Sequence, residues 1–139
     1  MGLSAGPARG YRRPVDETYR EPYFDEALAR PKAVRVGQAV WLGGTTAATP
    51  DGPAGGTDVV AQATEVIRRV DIALRQVGSA LDEVVRIRVY LTDIGRRAEI
   101  VTLLRRFFPH RPATTMVEVG ALLAPELLVQ IEADAIVRP

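Results

Sequence analysis

Residues 84–91 read VVRIRVYL and alternate apolar with polar side chains. Because successive side chains of a β-strand point to opposite faces of the sheet, this alternation predicts a strand with one apolar and one polar face. Val85, Ile87, Val89 and Leu91 belong to the predicted apolar face. The polar face carries Arg86, Arg88 and Tyr90, so this strand is predicted to separate a packed layer from an ionic surface.

The residues on either side of this strand predict the other elements. Gly37-Gln38 separates two β-rich runs and is typical of a two-residue hairpin turn. An apolar stripe at three- and four-residue steps predicts a helix that Thr57 or Asp58 caps and that runs to Val77. The other predicted elements are strands at 33–36, 39–42, 114–119 and 127–137 and a helix at 96–107. The order ββ-α-β-α-ββ predicts an α+β fold with two helices on one sheet face.

The sheet is predicted to keep its polar side chains on the face without helices. This ionic face is either solvated or buried against neighbouring subunits, where opposite charges pair, and the pattern leaves both open. Trp41 is interpreted as strand core, and Gln62 and Arg69 are placed on the outer face of the first helix. The other assignments are Val117, Val119, Val129 and Ile131 to the apolar face, and Thr114, Met116, Glu118, Gln130, Glu132 and Asp134 to the polar face.

Composition limits the function classes. The chain has 139 residues, 47% of them hydrophobic and 25% charged, which is typical of one globular domain. It has no cysteine and one histidine, so thiol chemistry and a multi-histidine metal site within one chain are excluded. A net charge of +1 disfavours a dedicated nucleic-acid binder. Without an apolar membrane span or secretory leader, we expect a cytoplasmic location.

The chain is predicted to have two parts. Residues 1–31 mix Gly, Pro, Arg and acids without a clear period, and we expect an extension that is partly mobile. Residues 32–139 contain all the periodic segments and form the predicted domain.

From about residue 33 to residue 137 the sequence resembles the RidA (YjgF/YER057c/UK114) family. The resemblance rests on motifs in a matching order: GQAVWLGG at 37–44, Gln62, GSALDEVV at 78–85, VYLTDI at 89–94, FF at 107–108, RPATTMVEV at 111–119 and QIEA at 130–133. It implies a chorismate-mutase-like α+β fold and a homotrimer whose sheets turn inward, with clefts between subunits.

The resemblance also implies an activity. Members of the best-known branch hydrolyse imines and enamines without a cofactor or metal, and an arginine binds the substrate carboxylate. Here Thr114 stands where that arginine is expected, which places the chain in a branch lacking it. Gln130 replaces a glutamate, whereas Glu132 matches a second one. The remaining departures are Arg30 for a tyrosine, Gly43 for a serine and Val101 for an asparagine.

These positions give the candidate site. Gln130, Thr114 and Glu132 are the candidate catalytic residues. Glu118, Glu132 and Asp134 could each act as a general base, but their place beside Arg86 and Arg88 favours structural ion pairs. Arg30 either faces the ligand as a cation or is a surface residue. Arg111 either contacts a ligand anion or pairs with a neighbouring subunit. His110 lies in a predicted turn without a visible catalytic partner. The candidate substrate-binding residues are Arg30, Gly43, Gly44, Val101, Arg111, Thr114, Met116 and Gln130.

Three functions remain in competition. The first is a hydrolase, deaminase or tautomerase that acts on an imine, enamine or related carbonyl metabolite in the cleft between subunits. The second is a catalytically silent trimer that binds a metabolite or protects other proteins. The third is RNA cleavage, which the balanced charge and the lack of a histidine pair disfavour. A small-molecule ligand is the expected partner in the first two.

Overall fold

A computed structural model describes residues 17–19 and 31–139. The chain builds one six-stranded sheet with the strand order β1-β2-β3-β6-β4-β5. The β4–β5 pair is parallel, and the other pairs are antiparallel. The elements in chain order are β1 Glu17–Tyr19, β2 Ala33–Val36, β3 Ala39–Thr45, α1 Val59–Gln76, β4 Val84–Leu91, α2 Arg97–Phe107, β5 Ala113–Glu118 and β6 Val129–Ile136.

The predicted α+β class and the order of elements from residue 33 onward are confirmed. Strand β4 has the predicted bounds, and β3 continues three residues past Leu42. Strand β1 was not predicted. It lies within the expected N-terminal extension and pairs antiparallel with β2, Thr18 beside Val34.

Helix α1 forms where the capping and stripe signals predict it. The Asp58 carboxylate accepts hydrogen bonds from the amides of Val60 (2.9 Å) and Ala61 (3.2 Å), which would otherwise have no partner at the helix start. At the other end Gly78 takes φ +79°, a conformation that glycine adopts without steric cost. The buried stripe packs on β3 and β6 and includes Ala63, Val66, Val70, Ala73 and Leu74.

The predicted outer face of α1 is wrong at two positions. Gln62 is fully buried: its amide nitrogen donates to the carbonyls of Gly56 (2.6 Å) and Glu126 (3.0 Å), and its oxygen accepts from the Leu128 amide (2.9 Å). Arg69 is also buried. These polar side chains are buried because loop backbones supply their partners, a non-local feature that periodicity cannot show.

A β-bulge at the start of β4 changes which side chains face the core, compared with the predicted alternation. The register with β6 shifts between Val84 and Arg86, so Val84 and Ile87 are buried whereas Val85 is 47% exposed. One extra residue in a strand redirects the side chains that precede it. Val85 therefore does not belong to the apolar face, contrary to the alternation.

The predicted assignment of β5 side chains to the two sheet faces is wrong for the whole strand. Its parallel register places Thr114 beside Ile87 and Met116 beside Val89, and paired residues share a sheet face. Thr114, Met116 and Glu118 therefore lie on the helix-covered face rather than the ionic one. Val117, which pairs with Tyr90, lies on the other face and is 40% exposed.

The face without a helix, called the helix-free face, is defined by register for the described residues. Arg88 pairs with Glu132, Tyr90 with Gln130, and Trp41 with Asp134. Trp41 is 50% exposed, so its interpretation as core is wrong. This face is ionic, as predicted, but also carries exposed apolar side chains at its borders.

We predict that Gln62→Leu lowers the free energy of unfolding by about 2–4 kcal/mol, because it leaves two buried carbonyls and one amide without partners. Urea denaturation followed by circular dichroism measures the change. Thr64→Ala, at an exposed position of the same helix, is the control and should change stability little. An equally small change for both variants would contradict the prediction.

A second prediction concerns pH. Hydrogen bonds from Arg68, then from Arg69, and their positive charges lower the pKa of Glu65 from 4.5 to about 2. Because the folded pKa is the lower one, ionised Glu65 stabilises the fold above about pH 4.5, and this contribution disappears as the pH falls toward about 2. The free energy of unfolding, measured by urea denaturation at several pH values, should therefore be larger for wild type than for Glu65→Gln at neutral pH. This difference should disappear as the pH falls from about 4.5 toward about 2. The control Asp71→Asn removes an ion pair with the exposed Arg75 and should change stability little at neutral pH.

Candidate functional site

A groove opens where α2 passes over the edge of the sheet. Its apolar floor consists of Ile87 from β4 and of Val101, Leu104 and Phe108 from α2 and the residue after it. The α2 residues recur at three- and four-residue steps and therefore share one side of the helix. The groove, called the edge groove, has a volume of about 200 Å³. Its size suits a small metabolite.

The rim of the edge groove is polar and cationic. Arg105, Arg111, Pro112 and Thr114 complete the lining. The Thr114 hydroxyl donates to the Pro112 carbonyl at 2.9 Å, so in this rotamer its oxygen remains available as an acceptor. Within the part of the chain that the structure describes, no acidic side chain lines the groove, and its charged groups are the two guanidinium groups.

The backbone at the rim is unusual. Arg111 takes φ +54°, the one positive φ of a non-glycine residue among those described. The turn that holds it is closed by a hydrogen bond from the Arg111 amide to the Phe108 carbonyl (3.0 Å). Side-chain-bearing residues adopt this conformation at a cost of about 1–3 kcal/mol, and such residues cluster at functional sites.

A second cluster lies on the helix-free face and consists of Arg88, Tyr90, Glu132 and Asp134, called the carboxylate cluster. The Tyr90 hydroxyl donates to Glu132 at 2.7 Å, and Arg88 lies 3.5 Å from Glu132 and 3.4 Å from Asp134. The hydrogen bond to Glu132, with burial, raises the pKa of Tyr90. Tyr90 therefore stays protonated at neutral pH and fixes the orientation of the carboxylate.

Gln130 lies beside this cluster, against the bulge in β3. The register between β3 and β6 shifts between Leu42 and Thr45, and Gly43 and Gly44 fill the irregular stretch. A Cβ at Gly44 would meet the side-chain amide of Gln130, so a larger residue there would displace this flexible side chain. Lys32, which is nearly buried, donates to the Gly44 carbonyl at 2.7 Å.

Within one chain the candidate residues form two groups on opposite faces of the sheet. Val101, Arg111 and Thr114 line the edge groove, and Met116 follows Thr114 on the same face of β5. Gly43, Gly44, Gln130 and Glu132 belong to the β3–β6 region, where Gln130 and Glu132 occupy the helix-free face. The predicted catalytic residues Thr114 and Gln130 therefore do not converge in a single chain. Arg30 lies outside the described residues.

Several residues have roles that the sequence did not indicate. Arg105 lies one helical turn after Val101, so extending that candidate along its helix face would have found it. Tyr90 was assigned only to a face, not to a carboxylate. Glu118 accepts a hydrogen bond from the Ile94 amide (3.1 Å) on the helix-covered side, so it does not belong to the ionic face. His110 contacts the Val84 carbonyl at 2.8 Å and has no catalytic geometry there.

Two further results concern the described ranges only. No group of three or more His, Asp or Glu side chains there is placed to hold a metal ion. No helix there combines the length and apolarity that crossing a membrane requires.

Comparison with known proteins identifies the family. The family model described as Endoribonuclease L-PSP matches residues 26–137. The chain belongs to this family, the RidA (YjgF/YER057c/UK114) family. Protein HMF1 of Saccharomyces cerevisiae is 32% identical over 105 residues, which cover 75% of this chain and 79% of HMF1. A RutC family protein of Pyrococcus abyssi is 28% identical over 84% of this chain and 96% of its own length.

Solved structures confirm the RidA-like fold. Rv2704 of Mycobacterium tuberculosis, described as a member of the YjgF/YER057c/UK114 family, superposes with a TM-score of 0.79 at 43% identity. The match covers 87% of this chain and 98% of Rv2704. The yeast protein YEO7 superposes with a TM-score of 0.77 at 29% identity, over 87% of this chain and 97% of its own.

Proposed function

We propose that this RidA-family protein is a hydrolase or deaminase of an imine, enamine or related carbonyl metabolite, without the usual carboxylate-binding arginine. The observation that carries the proposal is the oriented carboxylate of Glu132. Tyr90 and Arg88 hold it on a half-buried surface, the arrangement expected of a group that transfers protons in water chemistry.

The proposal places the reaction between subunits. Among the described residues, the edge groove offers an apolar floor but no carboxylate to act as a base, and the carboxylate cluster offers that base on an open sheet face. A homotrimer whose sheets turn inward would bring the groove of one copy toward the face of the next. The exposed Trp41, Val117 and Ile136 on the helix-free face support its burial in an assembly.

The chemistry of such a cleft follows from the side chains. Water adds its oxygen to the imine carbon, and its two protons pass in turn to the nitrogen. The C–N bond then breaks, ammonia leaves and a carbonyl compound remains. Glu132 accepts and returns the proton in transit, and Gln130 supports the reacting water by hydrogen bonding. A tautomerase step would use the same carboxylate without the water.

A catalytically silent trimer is the second candidate. The observation in its favour is the side chain of Thr114. Its hydroxyl donates to the Pro112 carbonyl and cannot replace the charge of the family's carboxylate-binding arginine. RNA cleavage, despite the family's description, is disfavoured by the net charge of +1 and by the hydrogen bond that engages His110 with the Val84 carbonyl. We retain a cytoplasmic location as part of the proposal.

The test of catalysis is a competition assay. An amino-acid oxidase generates imines from several amino acids, and semicarbazide traps them in the presence or absence of the protein. We expect the protein to divert imine before trapping, and Glu132→Gln to lower this activity about 10²–10⁴-fold. Glu126→Gln, an exposed site outside both clusters, is the control. Trapping of every imine at the background rate would favour the silent trimer.

Assembly gives a separate test. Arg88→Ala removes the cation shared by Glu132 and Asp134, and burial of these acids between subunits would then leave their charges unpaired. We expect a lower assembled mass by light scattering and a lower Tm by calorimetry. Arg75→Ala, which affects an exposed pair on α1, should change neither. An unchanged mass and Tm for Arg88→Ala would contradict burial of this face.

A further inference from the structure

The two arginines of the edge groove have no protein partner among the described residues. Several other arginines of the chain pair with acids: Arg68 and Arg69 with Glu65, and Arg96 with Glu99. Arg105 and Arg111 have neither an ion pair nor a hydrogen bond of this kind, although both line the same groove. Two guanidinium groups that line one groove without an acid attract an anion.

The left-handed backbone conformation of Arg111 supports a role in ligand binding. An exposed arginine needed only for charge has no reason to occupy a left-handed conformation directly before a proline, since both features restrict the residue. Glycine would satisfy the turn with less strain. The cost is explained if the turn presents this side chain at the rim of the groove.

The rest of the lining indicates the ligand's chemistry. Ile87, Leu104 and Phe108 provide an apolar floor, which suits a short hydrocarbon body. The Thr114 hydroxyl, already donating to Pro112, offers an acceptor to an N–H or O–H group of the ligand. Guanidinium groups match the planar geometry of a carboxylate. A small carboxylate with an apolar body satisfies all three features.

We propose that Arg105 and Arg111 together bind the carboxylate of a small ligand whose apolar body lies on the floor of the edge groove. This inference rests on the proposed function only in using the same groove. It assigns anion recognition to two positions on α2 and on the turn after it, instead of the strand position that Thr114 occupies.

Direct binding to the full chain tests the proposal. Butyrate is the probe, butyramide its neutral counterpart and inorganic phosphate the competing anion, with Kd measured by NMR titration. We expect butyrate to bind more tightly than the other two, and its Kd to rise at least tenfold in Arg105→Gln and in Arg111→Gly. Arg106→Gln is the matched control, because Arg106 lies next in the helix, over the Phe107 ring and outside the groove. Its Kd should not change.

Arg111→Gly also separates binding from folding. Because glycine adopts φ +54° without strain, we expect its Tm to equal or exceed that of wild type while butyrate binding is lost. Equal affinity for butyrate and butyramide, tighter binding of phosphate, or equal weakening by Arg106→Gln would each overturn the proposal. Butyrate binding without imine hydrolysis would retain this assignment and reject the enzymatic function. Imine hydrolysis by wild type, with butyrate binding unchanged in Arg105→Gln and Arg111→Gly, would support the enzymatic function and reject this assignment.

Discussion

The antiparallel register between β4 and β6 determines the chemistry of the helix-free face. It places Arg88 beside Glu132 and Tyr90 beside Gln130, so that cation, hydroxyl and carboxylate meet. A slip by one residue would turn these side chains toward α1 and move Val89 and Ile131 to the other face. The apolar packing of that opposite face therefore fixes the position of the ionic groups, because burying the charged set beneath helices would cost far more than any ion pair contributes.

The parallel pairing of β5 divides the functional groups between two surfaces. By placing Thr114 beside Ile87, it directs the edge strand's polar side chain to the groove under α2 and away from the carboxylate cluster. One chain thus has a binding groove and an oriented carboxylate separated by its own sheet. In the proposed assembly a second copy supplies the missing half for each.

The spacing of apolar residues correctly predicted those strands and helices that bury one continuous face. Strand β4 and helix α1 follow from alternation and from a capped stripe, because each buries one continuous face. The phase of β5 was mispredicted because this edge strand is exposed along most of its length, so its apolar residues do not mark a buried face. Its orientation depends on pairing with β4, a contact between distant segments that no local pattern records.

The candidate site was predictable to a similar extent. The motifs that contain Thr114 and Gly43–Gly44 could be located from sequence, because both belong to the family resemblance. The bulge at these glycines was not predicted, since the strand was expected to end before them. The buried amide of Gln62 could not, since its partners are carbonyls and an amide of remote loops. Arg105 was missed for a different reason: it lies one helical turn after the candidate Val101, but the candidate was not extended along that helix face.

Moving anion recognition from a strand to a helix and a turn changes its physics. Arg105 and Arg111 are exposed on a single chain, where salt screens their charges. In the open groove each guanidinium contributes little alone, so two are needed, and the apolar floor must supply a large share of the affinity. Burial of the groove against a second copy, as proposed, would strengthen the attraction for an anion. The positive φ of Arg111 compensates partly, because a restricted turn loses less freedom when it binds. Selectivity in such a groove depends on the hydrocarbon body of the ligand as much as on its charge.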